Sequence, residues 1–106
     1  TSMVESILLD RPYNGSDSLT VDGVFVQIGY IPKNELAVSA GVEITDYGYV
    51  RVDAGMGTNI KGIFCAGDLS NASNQLHQQV TSAAEGAIAA QSAYRYLQGI
   101  EYIVAA

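Results

Sequence analysis

Gly67-Asp68 closes a short apolar run, Ile63-Phe64-Cys65-Ala66, and this junction has more chemistry to offer than any other stretch of the chain. Glycine has no side chain, so a ligand can approach the backbone closely there. The carboxylate beside it can accept hydrogen bonds from a polyol or a ribose. Ligands of open α/β sheets sit beyond the carboxyl ends of the strands, which is where this pair would stand. Gly-Asp also serves ordinary turns, and an aspartate before a helix also serves as a cap. Further on, His77-Gln78-Gln79 opens the one long helix candidate. The first N–H groups of a helix have no intrahelical partner, and its dipole is positive at that end, so the position favours negative charge. His77 is the only imidazole; it can hold a phosphate oxygen, or it can be a surface residue. Cys65, the only thiol, lies inside the apolar run and reads as packing rather than redox chemistry.

The composition removes several function classes. The chain has 106 residues, with 5 Lys and Arg against 11 Asp and Glu, a formal net charge of −6. That balance makes a poor partner for phosphate backbones or anionic lipid, so neither nucleic acid nor membrane is expected. A single cysteine excludes a CxxC pair and an internal disulfide, and a single histidine excludes a multi-His metal centre. Hydrophobic residues are 48% and charged residues 15%, the mark of a globular chain. No apolar run approaches the ~20 residues of a membrane helix, and no basic-then-apolar leader opens the chain. A soluble, cytoplasmic protein is expected. The first residue is Thr1, which fits a processed chain or a piece of a longer one.

The elements that must position these residues are legible from pattern. Val4 to Leu9 and Leu19 to Ile28 read as two strands that can pair, joined by a loop with Pro12 and Asn14-Gly15. Val24-Phe25-Val26 is continuously apolar, as in a strand covered on both faces. Asn34 to Ala40 reads as one helical turn stopped by Gly41. Val42 to Val52 reads as a small hairpin turning at Asp46-Tyr47-Gly48. Ile63 to Ala66 reads as a buried strand, and Leu69 to Gln75 as a polar loop. From about His77 to Gln98 the sequence is helical, with Gly99 as the stop. Its expected buried face is Val80, Ala83, Ala84, Ala87, Ile88, Gln91, Tyr94 and Leu97. The strand Ile63–Ala66 and this helix both want a sheet that the chain barely supplies.

Three segments carry a resemblance. Thr58-Asn59-Ile60-Lys61-Gly62-Ile63-Phe64-Cys65-Ala66-Gly67-Asp68 looks like the TNxxGIFAAGD signature of FAD-dependent pyridine nucleotide–disulfide oxidoreductases. Gln78 to Ala90 resembles the Gln-x-Val-Thr-x-Ala-x-x-Gly-x-x-Ala-Ala helix of the thioredoxin reductase branch of that family. Val21 to Pro32 looks like the branch's crossing from the nucleotide domain back to the FAD domain. The three occur in family order and cover roughly residues 21 to 98. Neither GxGxxG loop nor the CxxC of the family is present, so the chain resembles only its C-terminal portion. His77 stands where the family usually has Arg, and the loop Leu69–Leu76 is about two residues longer than usual.

The resemblance implies an α/β fold, the C-terminal part of a Rossmann-like FAD/NAD(P)-binding domain. Residues 1–28 would end the nucleotide-binding domain and residues 29–106 would belong to the FAD-binding domain. The parent would move electrons from NADPH through FAD to a disulfide, of thioredoxin or a similar protein, as a homodimer. By the same resemblance Gly67 and Asp68 would meet the ribityl chain of FAD. Gln78 and Gln79 would face the pyrimidine side of the flavin. His77 would hold a phosphate oxygen or a flavin edge. Alternative readings are a piece of a ferredoxin–NADP reductase of thioredoxin reductase type, or a stand-alone interaction and dimerisation module without flavin. Tyr47, Tyr49, Tyr94 and Tyr96 fit packing or a subunit contact.

Overall fold

The computed structural model describes residues 3–100. The chain divides into two compact units, Thr1–Tyr30 and Ile31–Ala106.

The first unit is an antiparallel hairpin of β1 (Ser6–Tyr13) and β2 (Ser16–Thr20). Asn14 and Gly15 form its two-residue turn with φ of 51° and 80°. Both angles are positive, as a type I′ turn requires, and Asn-Gly is the pair that tolerates this at least cost. Ser6 to Leu8 pair with Ser18 to Thr20, and Tyr13 pairs with Ser16. Four residues of β1 therefore stand opposite Asp17 alone, and Pro12, which cannot donate to a ladder, lies in this irregularity. The expected loop Arg11–Ser18 is thus mostly strand. The expected strand from Leu19 to Ile28 ends at Thr20 instead. Val24-Phe25-Val26 has no ladder, and Phe25 is 94% exposed rather than covered on both faces.

The second unit is built on one long helix. α1 (Glu35–Ser39) is a single turn, and α2 spans Gln79–Leu97. Both end in the same way. After α1 the Val42 N–H reaches the Ala37 carbonyl and the Gly41 N–H the Val38 carbonyl. After α2, Ile100 and Gly99 bond Arg95 and Tyr96 identically. These are Schellman motifs, with Gly41 and Gly99 in the left-handed position that ends a helix.

Between the helices the chain is held by turns, not strands. The hairpin expected over Val42–Val52 is reduced to one antiparallel bridge, Ile44 to Val50. The strand expected at Ile63–Ala66 is reduced to a bridge between Phe64 and Gly57. A strand exists only by its pairing, and these segments have too little partner within the described residues. Side chains fill the gap. Thr58 Oγ1 donates to the Ile63 carbonyl at 2.9 Å, closing the Thr58–Ile63 turn. Asn59 Oδ1 accepts the Glu43 N–H at 2.8 Å while its Nδ2 donates to the Gly41 carbonyl at 3.1 Å. Asp53 Oδ1 accepts the N–H groups of Gly55 and Gly57.

The buried core is small: Val42, Tyr49, Val50 and Met56, with the polar Ser70, Glu85 and Ser92. The last two show how α2 is turned. Its inward face carries Ser82, Glu85, Ala89 and Ser92. The apolar face expected to be buried points outward, with Val80 74%, Ile88 41%, Tyr94 59% and Leu97 79% exposed.

Candidate functional site

The site forms where the 65–70 turn meets the start of α2. Val50 and Ser70 are bridged in parallel: the Val50 N–H reaches the Leu69 carbonyl at 2.8 Å and the Asn71 N–H reaches the Val50 carbonyl at 3.0 Å. Asn71 Oδ1 adds a bond from the Val52 N–H at 2.9 Å. This pins the stretch after Asp68 to the core. Gly67 turns the chain with φ of +82°, a conformation that side-chain-bearing residues adopt only with strain. The turn presents Asp68 to solvent.

Glu85 lies beneath this turn and is 4% exposed. Its Oε2 accepts the Gly67 N–H at 2.7 Å and the Ser70 hydroxyl at 2.9 Å. Burial pushes its carboxyl up, but hydrogen bonds from Ser73, Ser70 and Gly67 outweigh burial and the nearby Asp68 charge. The net direction is down, so Glu85 stays ionised. Cys65 moves the other way: burial, and then the charge of Glu85, raise its thiol above the usual range. A protonated, half-buried thiol is a packing group, as its place in the sequence implies.

Of the five residues singled out in the sequence, four are brought to this place. Ser82, in the second turn of α2, donates to Asp68 Oδ1 at 2.8 Å, with Gly67 just before it. Gln78 is the N-cap of α2 and Gln79 its first residue, and both are exposed. Thr81 Oγ1 accepts the Gln78 N–H at 3.2 Å and donates to the Gln78 carbonyl at 2.9 Å, which sharpens the helix start. The fifth, His77, packs its ring on Tyr49, centroids 5.4 Å apart and tilted by 34°. Its Nε2 is buried.

The polar loop before the helix contains a turn the sequence did not announce. Ser73, Asn74 and Gln75 take φ of 48°, 52° and 56°, and His77 takes 47°. Left-handed backbone costs a non-glycine residue roughly 1–2 kcal/mol. The turn is closed by the Gln75 N–H on the Ala72 carbonyl at 2.9 Å and the Leu76 N–H on the Ser73 carbonyl at 3.2 Å.

Sequence reasoning missed Glu85, Ser70 and Ser82. The available signal was a lone carboxylate among Ala83, Ala84, Gly86 and Ala87, three residues after Ser82 and so on the same helix face. A separate cleft of about 940 Å³, lined by Asp53, Lys61, Phe64, Ser92, Arg95 and Tyr96 among others, contains none of the five predicted residues. No group of three His, Cys, Asp or Glu side chains comes together among the described residues. None of the described helices is long and apolar enough to cross a membrane.

A glycine turn carrying an exposed carboxylate, tied to the start of a long helix, can present backbone and carboxylate together to a hydroxyl-bearing ligand. Residues 8–90 match the model of the pyridine nucleotide-disulphide oxidoreductase family, and the chain belongs to that family. It is 44% identical over 81 residues to the 34.2 kDa protein in the rubredoxin operon of Clostridium pasteurianum, covering 76% of this chain and 25% of that protein. It is 36% identical over 99 residues to the thioredoxin reductase of Listeria innocua, covering 92% of this chain and 30% of that enzyme. Its fold matches the crystal structure of T. acidophilum thioredoxin reductase with a TM-score of 0.68 at 29% identity, over 83% of this chain and 28% of that one. The chain thus spans between a quarter and a third of the length of these relatives and corresponds to part of a thioredoxin reductase-like protein.

Proposed function

We propose that this chain is the C-terminal part of a thioredoxin reductase-like flavoprotein and supplies part of its FAD site. The parent transfers electrons from NADPH to a disulfide, with a thioredoxin-like protein as substrate, and works as a cytoplasmic homodimer. In this reading residues 1–28 end the nucleotide-binding domain and residues 29–106 belong to the FAD-binding domain. The family match over residues 8–90 supports the class of chemistry.

The observation that carries the site is the hydrogen bond from Ser82 to Asp68 Oδ1. It places an exposed carboxylate beside the start of α2 and leaves Oδ2 open to a ligand hydroxyl. The residues fit a flavin in kind: Gly67 allows close approach, Asp68 accepts from the ribityl chain, and the helix start at Gln78 and Gln79 favours negative charge. When bound, FAD supplies the two-electron step between nicotinamide and disulfide. This chain's own residues bind and orient it. His77, packed on Tyr49, supports the site from the side of the 42–52 turn.

The test is the full-length protein that carries this chain, purified and examined by absorbance and by NADPH-dependent reduction of thioredoxin. A flavin spectrum with turnover is expected. A colourless, folded protein that does not take up added FAD would overturn the reading.

A further inference from the structure

α2 grips the Gly67-Asp68 turn at two separate points. Ser82 Oγ donates to the Asp68 carboxylate itself, at 2.8 Å. About one helical turn on, Glu85 Oε2 accepts from the backbone N–H of Gly67 at 2.7 Å and from Ser70 Oγ at 2.9 Å. Ser70 is 1% and Glu85 4% exposed, so the second grip is shielded from water and its bonds are correspondingly strong. The residue between the two grips, Asp68, is exposed.

A buried carboxylate is a costly way to hold a loop, since an apolar residue of similar size would avoid the desolvation. It does hold something an apolar residue cannot: a backbone N–H that would otherwise be stranded at a left-handed glycine. A carboxylate that must meet a ligand hydroxyl needs its backbone and its rotamer fixed to within roughly 0.5 Å and 10–20°. One grip acts on the backbone just before Asp68, the other on its side chain. Asp68 Oδ2 is left without a partner among the described residues.

We propose that Glu85 and Ser82 are positioning residues for Asp68, Glu85 fixing the Gly67 backbone and Ser82 the carboxylate rotamer, so that Oδ2 is aimed at the flavin's polyol chain. This rests on the reading of Asp68 as a flavin contact. It adds that Ser82 and Glu85, on the inward face of α2, aim that contact.

A double-mutant cycle in the full-length protein, read as the Kd of the apoprotein for added FAD at neutral pH, separates the two claims. Asp68→Asn should weaken FAD by at least ~10-fold. Ser82→Ala and Glu85→Gln should each weaken it by roughly 3- to 10-fold alone, and by less than about twofold when Asp68 is already Asn, because they act through it. Ser82→Thr, which keeps the hydroxyl, should restore wild-type affinity. Ser82→Ala removes one hydroxyl and leaves the Glu85 network whole, so it carries the cycle alone if Glu85→Gln fails to fold. Equal costs in both backgrounds, or Ser82→Thr behaving like Ser82→Ala, would overturn the positioning role while the flavin reading stands. An Asp68→Asn protein that binds FAD like wild type would overturn the flavin reading of Asp68 and the positioning role with it.

Discussion

At the scale of the residue, Asp68 is the position where a side chain is both anchored and open. One carboxylate oxygen is fixed by Ser82 and the other faces solvent. Removing the side chain deletes a charge-assisted hydrogen bond to a ligand without disturbing the buried groups beneath. Asp68→Ala in the full-length protein is therefore expected to cost about 1.5–3 kcal/mol of FAD binding, or roughly 10- to 150-fold in affinity. FAD retained after extensive dialysis measures it, and unchanged content would remove Asp68 from the site. Glu85 makes a different prediction. Its carboxyl lies below its ordinary value of 4.5, so its bonds stabilise the fold above that pH. The stabilisation is lost as pH falls through the lower folded value. Glu85→Gln should cost on the order of 1–3 kcal/mol at neutral pH, where the ionised acceptor is lost. It should also flatten the loss of stability below pH 4.5. Denaturant titrations of both proteins across the acid range would show parallel curves if Glu85 does not titrate with folding.

At the scale of the element, α2 does two jobs with two ends. Its C-terminus is closed by the Gly99 motif, and its N-terminus stays exposed at Gln78 and Gln79. The dipole at such a start contributes roughly 0.3–1 kcal/mol near the surface and up to ~2 kcal/mol when partly buried. Reduction places negative charge on the pyrimidine side of a flavin, so a helix start facing it stabilises the reduced form more. Gln79→Pro deletes one N–H at the first helical position, where proline is tolerated. It should lower the two-electron potential by about 20 mV for each 1 kcal/mol of differential stabilisation lost, since 30 mV corresponds to ~1.4 kcal/mol. Spectroelectrochemical titration of the holoprotein reads this directly. A potential equal to wild type, with FAD fully bound, would mean that the helix start faces elsewhere.

At the scale of the whole molecule, the described chain buries little. Four hydrophobic side chains form the core, while Val80, Tyr94 and Leu97 on α2, and Phe25, Val26 and Ile28 beyond the hairpin, are exposed. Apolar surface of that extent promotes association. The isolated 106-residue chain is expected to self-associate and to bind a hydrophobic dye strongly, and to show no NADPH-dependent disulfide reduction with added FAD. Size-exclusion chromatography, dye fluorescence and a turnover assay test the three parts. A dye-silent monomer would mean that these faces pack together in solution, and robust NADPH consumption would mean that the chain is catalytically sufficient.

Local chemistry alone determined a good part of this protein. Asn14-Gly15 specifies its turn because only such a pair accepts two positive φ angles cheaply, and Gly41 and Gly99 end their helices for the same reason. The order of the Thr58–Asp68 and Gln78–Ala90 motifs pointed to the family, and residues 8–90 match it. Facing and pairing were decided elsewhere. Ile63–Ala66 and Val24–Val26 have strand-forming residues, but a strand needs a neighbouring backbone, and that is a property of the assembled sheet. The helix followed the same logic in reverse. Its apolar stripe implied an inward face, yet Ser82 and Glu85 turn inward because the Gly67 N–H, the Ser70 hydroxyl and Asp68 offer them hydrogen bonds. Periodicity counts apolar residues along one element; it carries no record of which polar groups a distant loop leaves to be satisfied, and only the tertiary structure brings those together.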